Sequence, residues 1–240
     1  GADRGGQGTG PGVGGGGGAN TAAAGDRGLV GATGRVGHGW AEGGGARGLE
    51  VELSDWGHRT PADPGRIEAA LCADTGRRIR AVLATHVDTA SSLRNDIAGL
   101  RRAIDSADHP ALLMADCIAS LACDRFEMDA WGADVAVAAS QKGLMLPPGL
   151  GFVFFNERAA GARARLSVVS KYWDWGPRAA PERFYQYFGG TAPAHHLYGL
   201  RAALDTIHAE GVEAVWTRHE RLARAIWAAS DAWAQGGALR

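Results

Sequence analysis

Ala111-Leu112-Leu113-Met114-Ala115-Asp116 and Ala133-Asp134-Val135-Ala136-Val137-Ala138-Ala139-Ser140-Gln141-Lys142 are short apolar runs, each closing on groups that carry chemistry. A continuous apolar run of this length is what a strand buried on both faces requires. Ile79 to Ala84 is a third such run and ends at Thr85-His86, while Gly151 to Phe155 is a fourth. Between the first two in chain order lie a loop, Val87 to Ser92, and a span with helical spacing from Arg94 to Ala107. Strand, helix, strand is the unit of a parallel sheet, and such sheets place ligands at the carboxyl ends of their strands. The predicted fold class is therefore α/β, a mainly parallel sheet flanked by helices, with its site among Thr85-His86, Asp116 and Ser140-Gln141-Lys142.

Upstream, Leu49 to Leu53 reads as a short strand, and Asp63-Pro64 opens a helix through Leu71 with the aspartate as N-cap and the proline in its first turn. Residues 1–48 hold more than half of the glycines and few large apolar side chains. Such a segment cannot offset its ordering entropy by burial, so much of it is expected to be loose. Downstream, Val168 to Gly190 is aromatic and irregular, as a connection packed against another surface would be. Leu197, Leu200, Leu204 and Ile207 share one helical face, and a last helix from about Val212 carries Leu222, Ile226 and Trp227. The expected organisation is a glycine-rich segment over 1–48, a main domain over 49–210 and a helix over 211–240.

A net charge of -1 with interspersed charges gives no basic face for nucleic acid or an anionic membrane. No apolar run approaches the roughly 20 residues that span a bilayer, and the start lacks the layout of a signal peptide, so a cytoplasmic protein is expected. Cys72, Cys117 and Cys123 lie in or beside apolar stretches without metal-ligand spacing, which argues for reduced, buried thiols and neither disulfides nor zinc. A glycine-rich start invites a nucleotide-binding reading, but there is no GxxxxGK[ST] motif and no GxGxxG between a clear strand and helix.

Arginine supplies almost all the positive charge; Lys142 and Lys171 are the only lysines. A lysine after a buried strand, with the rigid turn Pro147-Pro148-Gly149 beyond it, can lose its proton and bond to an aldehyde, which arginine cannot do. Taken alone, Lys142 reads first as an ordinary surface lysine, since lysines are seldom buried. Asp116 reads as a partner for a cationic ring nitrogen, as a helix cap or as half of a structural ion pair.

Leu112 to Leu121, Phe126-Glu127-Met128-Asp129, Trp131-Gly132-Ala133-Asp134-Val135 and Ser140-Gln141-Lys142-Gly143-Leu144-Met145 with Pro147-Pro148-Gly149-Leu150 together resemble the class V aminotransferases of the alanine/serine–glyoxylate branch. The resemblance runs from about Leu49 to about Trp233 and implies the large domain of a fold type I pyridoxal 5′-phosphate (PLP) enzyme. It implies Lys142 as the Schiff-base lysine and proton shuttle, Asp116 against the ring nitrogen, and Gln141 at the cofactor phosphate. Thr89 matches the hydroxyl residue near the ring oxygen, and Ile118 the aliphatic residue on one ring face. Gly8-Thr9-Gly10 resembles the phosphate-binding turn, and Thr191 the residue lent to the partner's phosphate site in a homodimer. His86 is read as structural or functional in equal measure. The partners implied are an amino donor, serine or alanine or a similar amino acid, and a 2-oxo acid acceptor, glyoxylate or pyruvate.

The chain also departs from that pattern. Glycine fills Gly12 to Gly18, interrupted only by Val13, where an amphipathic helix belongs, and each glycine costs a helix roughly 1 kcal/mol relative to alanine. Val36 stands where relatives stack an aromatic residue on the cofactor, with Trp40 as an outside candidate; Phe188 replaces a common tyrosine. The small C-terminal domain, with the arginine for the substrate carboxylate, is expected to be largely missing, and no arginine here is assigned that role. Two alternatives stay open: a truncated homologue that folds or dimerises without turnover, and a transaminase of the pyridoxamine–pyruvate type. Desulfuration is disfavoured, because Gln141 precedes the lysine where desulfurases usually have histidine.

Overall fold

The computed structural model describes residues 2–6, 10–188 and 190–235. Its strands are β1 (Ala2–Gly6), β2 (Arg27–Ala32), β3 (Glu50–Asp55), β4 (Ile79–Thr85), β5 (Leu112–Asp116), β6 (Val135–Ala139) and β7 (Gly151–Phe155). They form one sheet in the order β1-β7-β6-β5-β4-β2-β3. Pairing is parallel from β3 through β2, β4 and β5 to β6, whereas β7 runs antiparallel to both β6 and β1. The expected mainly parallel α/β sheet is present, with an antiparallel flank.

Helices cover both faces. Leu29, Val82, Leu113 and Ala136 face one core, completed by Ile67 and Leu71 of α3 (Pro64–Ala73) and Ile97, Leu100 and Ile104 of α4 (Ile97–Ser106). The alternate residues Val30, Leu83, Met114 and Val137 face the other, against Ala159 and Ala162 of α5 (Glu157–Ala164) and Trp175. Successive strand residues point to opposite faces, so burial of both sets explains why these strands read as unbroken apolar runs.

Two expectations give way. Residues 1–48 contribute not only β1 and β2 but also α1 (Gly10–Ala19) and α2 (Arg35–Gly45), and because β2 pairs with both β3 and β4 the sheet crosses the expected boundary at 48/49. The glycines are what let α1 lie so close to the sheet. Gly15 to Gly18 are buried; a Cβ on Gly17 would stand 2.8 Å from Met114 Cε, and one on Gly16 3.1 Å from the Trp173 ring. Fully buried Asn20 locks the end of α1 by donating to Gly16 O (2.7 Å) and Trp173 O (2.8 Å) and accepting from Trp175 N–H. Tertiary packing outweighs the poor helix propensity of the run.

The second correction is at α4, which starts at Ile97 and not at Arg94. Asp96 caps it by accepting from Gly99 N–H (2.8 Å), while buried Asn95 is drawn away to donate to Thr85 O and Thr33 Oγ1 and to accept from Ala62 N–H. Asp63 caps α3 as expected, accepting from Gly65 N–H.

After α5 the aromatic segment carries a short helix, α6 (Gly176–Ala179), and a 3-10 turn over Phe184–Tyr187. Then α7 (Ala194–Glu210) packs Ala203 and Ile207 against Leu144, Leu146 and Phe152. Gly211, at φ 86°, breaks the chain before α8 (Val212–Gln235), where Leu222, Ile226 and Trp227 are exposed.

Candidate functional site

Parallel strands β4, β5 and β6 end side by side, and the site grows from Asp116 at the end of β5. Its carboxylate is 3% exposed; Oδ1 accepts from Ile118 N–H (2.9 Å) and Oδ2 from the indole Nε1–H of Trp40 (2.9 Å). Burial pushes the Asp116 pKa upward, and these two hydrogen bonds, with Trp40 the stronger, oppose the rise.

Asp116 opens onto a cavity of about 680 Å³ that Thr89, Ile118, Val36, Trp40 and Arg47 also line. This falls within the range of small-molecule sites, roughly 300–1,000 Å³. Asp116, Thr89 and Ile118, predicted from three separate positions, are thus brought together, with Val36 and Trp40 beside them. Lys142, Gln141 and Thr191 are not among the cavity-lining residues. Gly8 and Thr9 lie outside the described residues, and Gly10 begins α1.

Lys142 sits on the loop that leaves β6. Ser140 pins that loop, its Oγ donating to Pro147 O (2.8 Å) and accepting from Leu150 N–H. Gly143 is pressed on the Leu121 carbonyl and Cys123 Sγ so closely that no Cβ would fit. The Lys142 side chain is exposed, and its charge acts on the Cys123 thiol. Next to it, Gln141 keeps Oε1 buried with no hydrogen-bond partner. That oxygen is an acceptor and could be satisfied only by a donor group.

Burial raises the pKa of Cys117 well above its ordinary value and that of Cys123 above it, so neither is a ready thiolate. Cys72 departs from the expectation of burial: it is exposed on α3.

His86 resolves toward structure. It is 1% exposed, shares a 2.9 Å hydrogen bond between Nδ1 and Ser120 Oγ, and packs between the rings of Phe126 and Trp131. Desolvation by burial lowers its pKa from 6.5 to about 4. Below pH 6.5 the unfolded chain then binds a proton that the folded chain does not, so stability falls with pH until about 4, where both states are protonated. The loss from this residue is at most roughly 3 kcal/mol. Urea melts of the native chain and of His86→Gln at several pH values check it: the difference between them should grow in the variant's favour between pH 6.5 and 4, and parallel curves would contradict it.

Sequence reasoning missed two groups. Asp88, fully buried, accepts from Val36 N–H (3.0 Å) and Gly37 N–H (3.4 Å), capping α2 from the β4–α4 loop where Gly34 has no side chain to do so. A cap supplied from a distant loop leaves no local signal. The other is Arg47, which lies on the cavity wall although no arginine was assigned a site role. Among the described residues no cluster of His, Cys, Asp and Glu could hold a metal ion, and no helix is long and apolar enough to cross a membrane.

Residues 36–231 match the family described as Aminotransferase class-V. The chain is 42% identical over 229 residues to an L-aspartate–glyoxylate aminotransferase from Paracoccus denitrificans and 38% identical over 234 residues to a serine–glyoxylate aminotransferase from Methylorubrum extorquens. Each alignment covers 94% of this chain and 57% of the relative, so the chain spans less than two thirds of the relatives' length. Among solved structures, an alanine–glyoxylate aminotransferase from Nostoc sp. superposes with a TM-score of 0.83 at 29% identity, covering 92% of this chain and 58% of that one.

Proposed function

The chain belongs to the class-V aminotransferase family, and on that premise we propose that it serves a PLP-dependent transaminase that moves an amino group from serine, alanine or a similar donor to glyoxylate or pyruvate. The observation that carries this reading is the buried Asp116 carboxylate on the cavity wall, whose Oδ2 already accepts an aromatic ring N–H, that of Trp40, at 2.9 Å. A protonated pyridine nitrogen is a donor of the same kind. The residues present therefore fit the cofactor ring, with Thr89 and Ile118 on the same cavity as Asp116.

When bound, PLP supplies an electron sink for the donor's α-carbon. Asp116 would keep its ring nitrogen protonated, and Trp40 would yield Oδ2 to it. Ile118 and Val36 would confine the ring, and Thr89 would hydrogen-bond the ring oxygen. Lys142 would carry the cofactor through its ε-amine and, once displaced by the donor, move the proton released from the donor's α-carbon. Gln141 would contact the phosphate. Phe184 and Tyr185, 69% and 61% exposed, precede Thr191 and support a homodimer in which Thr191 reaches the partner's phosphate site.

A second reading, a homologue that folds without turnover, draws on the exposed Lys142 lying off the cavity lining. One experiment separates them: add PLP, reduce with borohydride and map modified lysines by peptide mass spectrometry, then add serine, alanine or aspartate to unreduced protein and follow the cofactor absorbance. An adduct confined to Lys142, with a donor-dependent spectral change, is the expected result. An adduct shared with Lys171, or none, would remove the transaminase reading.

A further inference from the structure

We infer that Arg47 is an oxyanion-binding residue of the Asp116 cavity, seated in a cradle that the glycines of α1 leave open. The inference deepens the transaminase reading and rests on it only for the identity of the anion. Arg47 follows the C-cap of α2 and lies across α1. A Cβ on Gly15 would overlap its Nη2, and one on Gly18 would stand 3.5 Å from its Nη1. Gly15 and Arg47 line the cavity together. The glycine run, which no catalytic role absorbed, thus gives the guanidinium its place.

The guanidinium has five N–H donors and can accept nothing. Among the described residues no carboxylate pairs with it. Arg47 is exposed overall, and the desolvation of the part lying against α1 and the cavity lowers its pKa. Of the other charged or titratable side chains on the cavity, Arg35 adds positive charge, His38 is held by Asp55 at 3.2 Å, and Glu42 lies on α2. Asp116 is engaged by Trp40 and the Ile118 amide. An anion entering this space meets Arg35 and Arg47 as well as the carboxylates of Glu42 and Asp116, and of these groups Arg47, set against Gly15 with no carboxylate paired to it, presents the planar fork that carboxylate and phosphate both match. The anion is either the cofactor's phosphate or the carboxylate of the amino or oxo acid.

The test uses the 240-residue chain and two unreactive probes, inorganic phosphate and glycolate, titrated by NMR; neither depends on Lys142, so the result stands apart from the fate of the transaminase reading. Arg47→Met should weaken at least one probe tenfold or more, while Arg80→Met, which removes a surface arginine paired with Asp26, should change neither. Loss confined to phosphate assigns Arg47 to the cofactor's phosphate; loss confined to glycolate assigns it to the substrate carboxylate; loss of both assigns a shared oxyanion site. Gly15→Ala keeps the arginine but displaces the guanidinium, so it should reproduce the loss with an unchanged far-UV spectrum. Native affinity for both probes in Arg47→Met and Gly15→Ala, or no measurable binding to the native chain, would overturn the inference.

Discussion

Lys142→Ala is expected to lose the borohydride-fixed PLP adduct completely and to slow the donor-driven half-reaction by at least about 10²-fold, the lower end of what a positioned acid–base group contributes. The chain has only one other lysine, Lys171, and it is exposed. No neighbouring amine can therefore take over without showing itself as a Lys171 peptide. Lys142→Arg should be as inactive as the alanine variant, because a guanidinium stays protonated and cannot bond to the aldehyde. The loop itself is held by Ser140, whose Oγ contacts Pro147 O and Leu150 N–H, so truncating the exposed lysine should leave the fold unchanged. Mass spectrometry of the reduced peptides and stopped-flow absorbance check the two halves of the prediction. An adduct surviving in Lys142→Ala would sink the assignment.

Asp134→Ala should destabilise the fold by about 3–5 kcal/mol, the range for removing one partner of a buried ion pair. Asp134 is fully buried and accepts from Leu113 N–H (2.8 Å), Asn156 Nδ2 (2.8 Å) and Arg158 Nη1 (3.0 Å), with Arg101 Nη1 at 3.5 Å. One carboxylate thereby ties β5, β6, α4 and the start of α5. Without it the Leu113 amide loses an acceptor inside the sheet, and Arg101, itself 9% exposed, keeps only Asp105. Arg158→Ala is the contrast: it leaves the Leu113, Asn156 and Arg101 contacts to the carboxylate in place, so it should cost less than Asp134→Ala. Urea unfolding decides it, read as a lower midpoint at unchanged slope. A shift for Asp134→Ala no larger than that for Arg158→Ala would refute the keystone role.

The sheet was legible because burial on both faces imposes a signal on every strand residue. β4 to β7 fall where the apolar runs from Ile79, Ala111, Ala133 and Gly151 lie, and Asp63 caps α3 by an interaction between residues close in sequence. Asp116 was legible for the same reason, since a polar group closing a buried strand must lie at the sheet's edge. What escaped was non-local: Asp88 reaching across to cap α2, Trp40 donating to Asp116, and Asn95 drawn out of a helix to satisfy Thr85 and Thr33.

By itself, then, the amino-acid sequence determined the parallel α/β layout and the edge at which Asp116 and the Lys142 loop emerge, because periodicity and burial are properties of consecutive residues. Only the tertiary structure decided that the glycine run is a helix, since its stability comes from Met114, Trp173 and Asn20 contacts that no local propensity contains. The same holds for Arg47: which surface a partly solvated arginine lies against depends on what the fold places opposite it, and here that is Gly15 at the cavity wall.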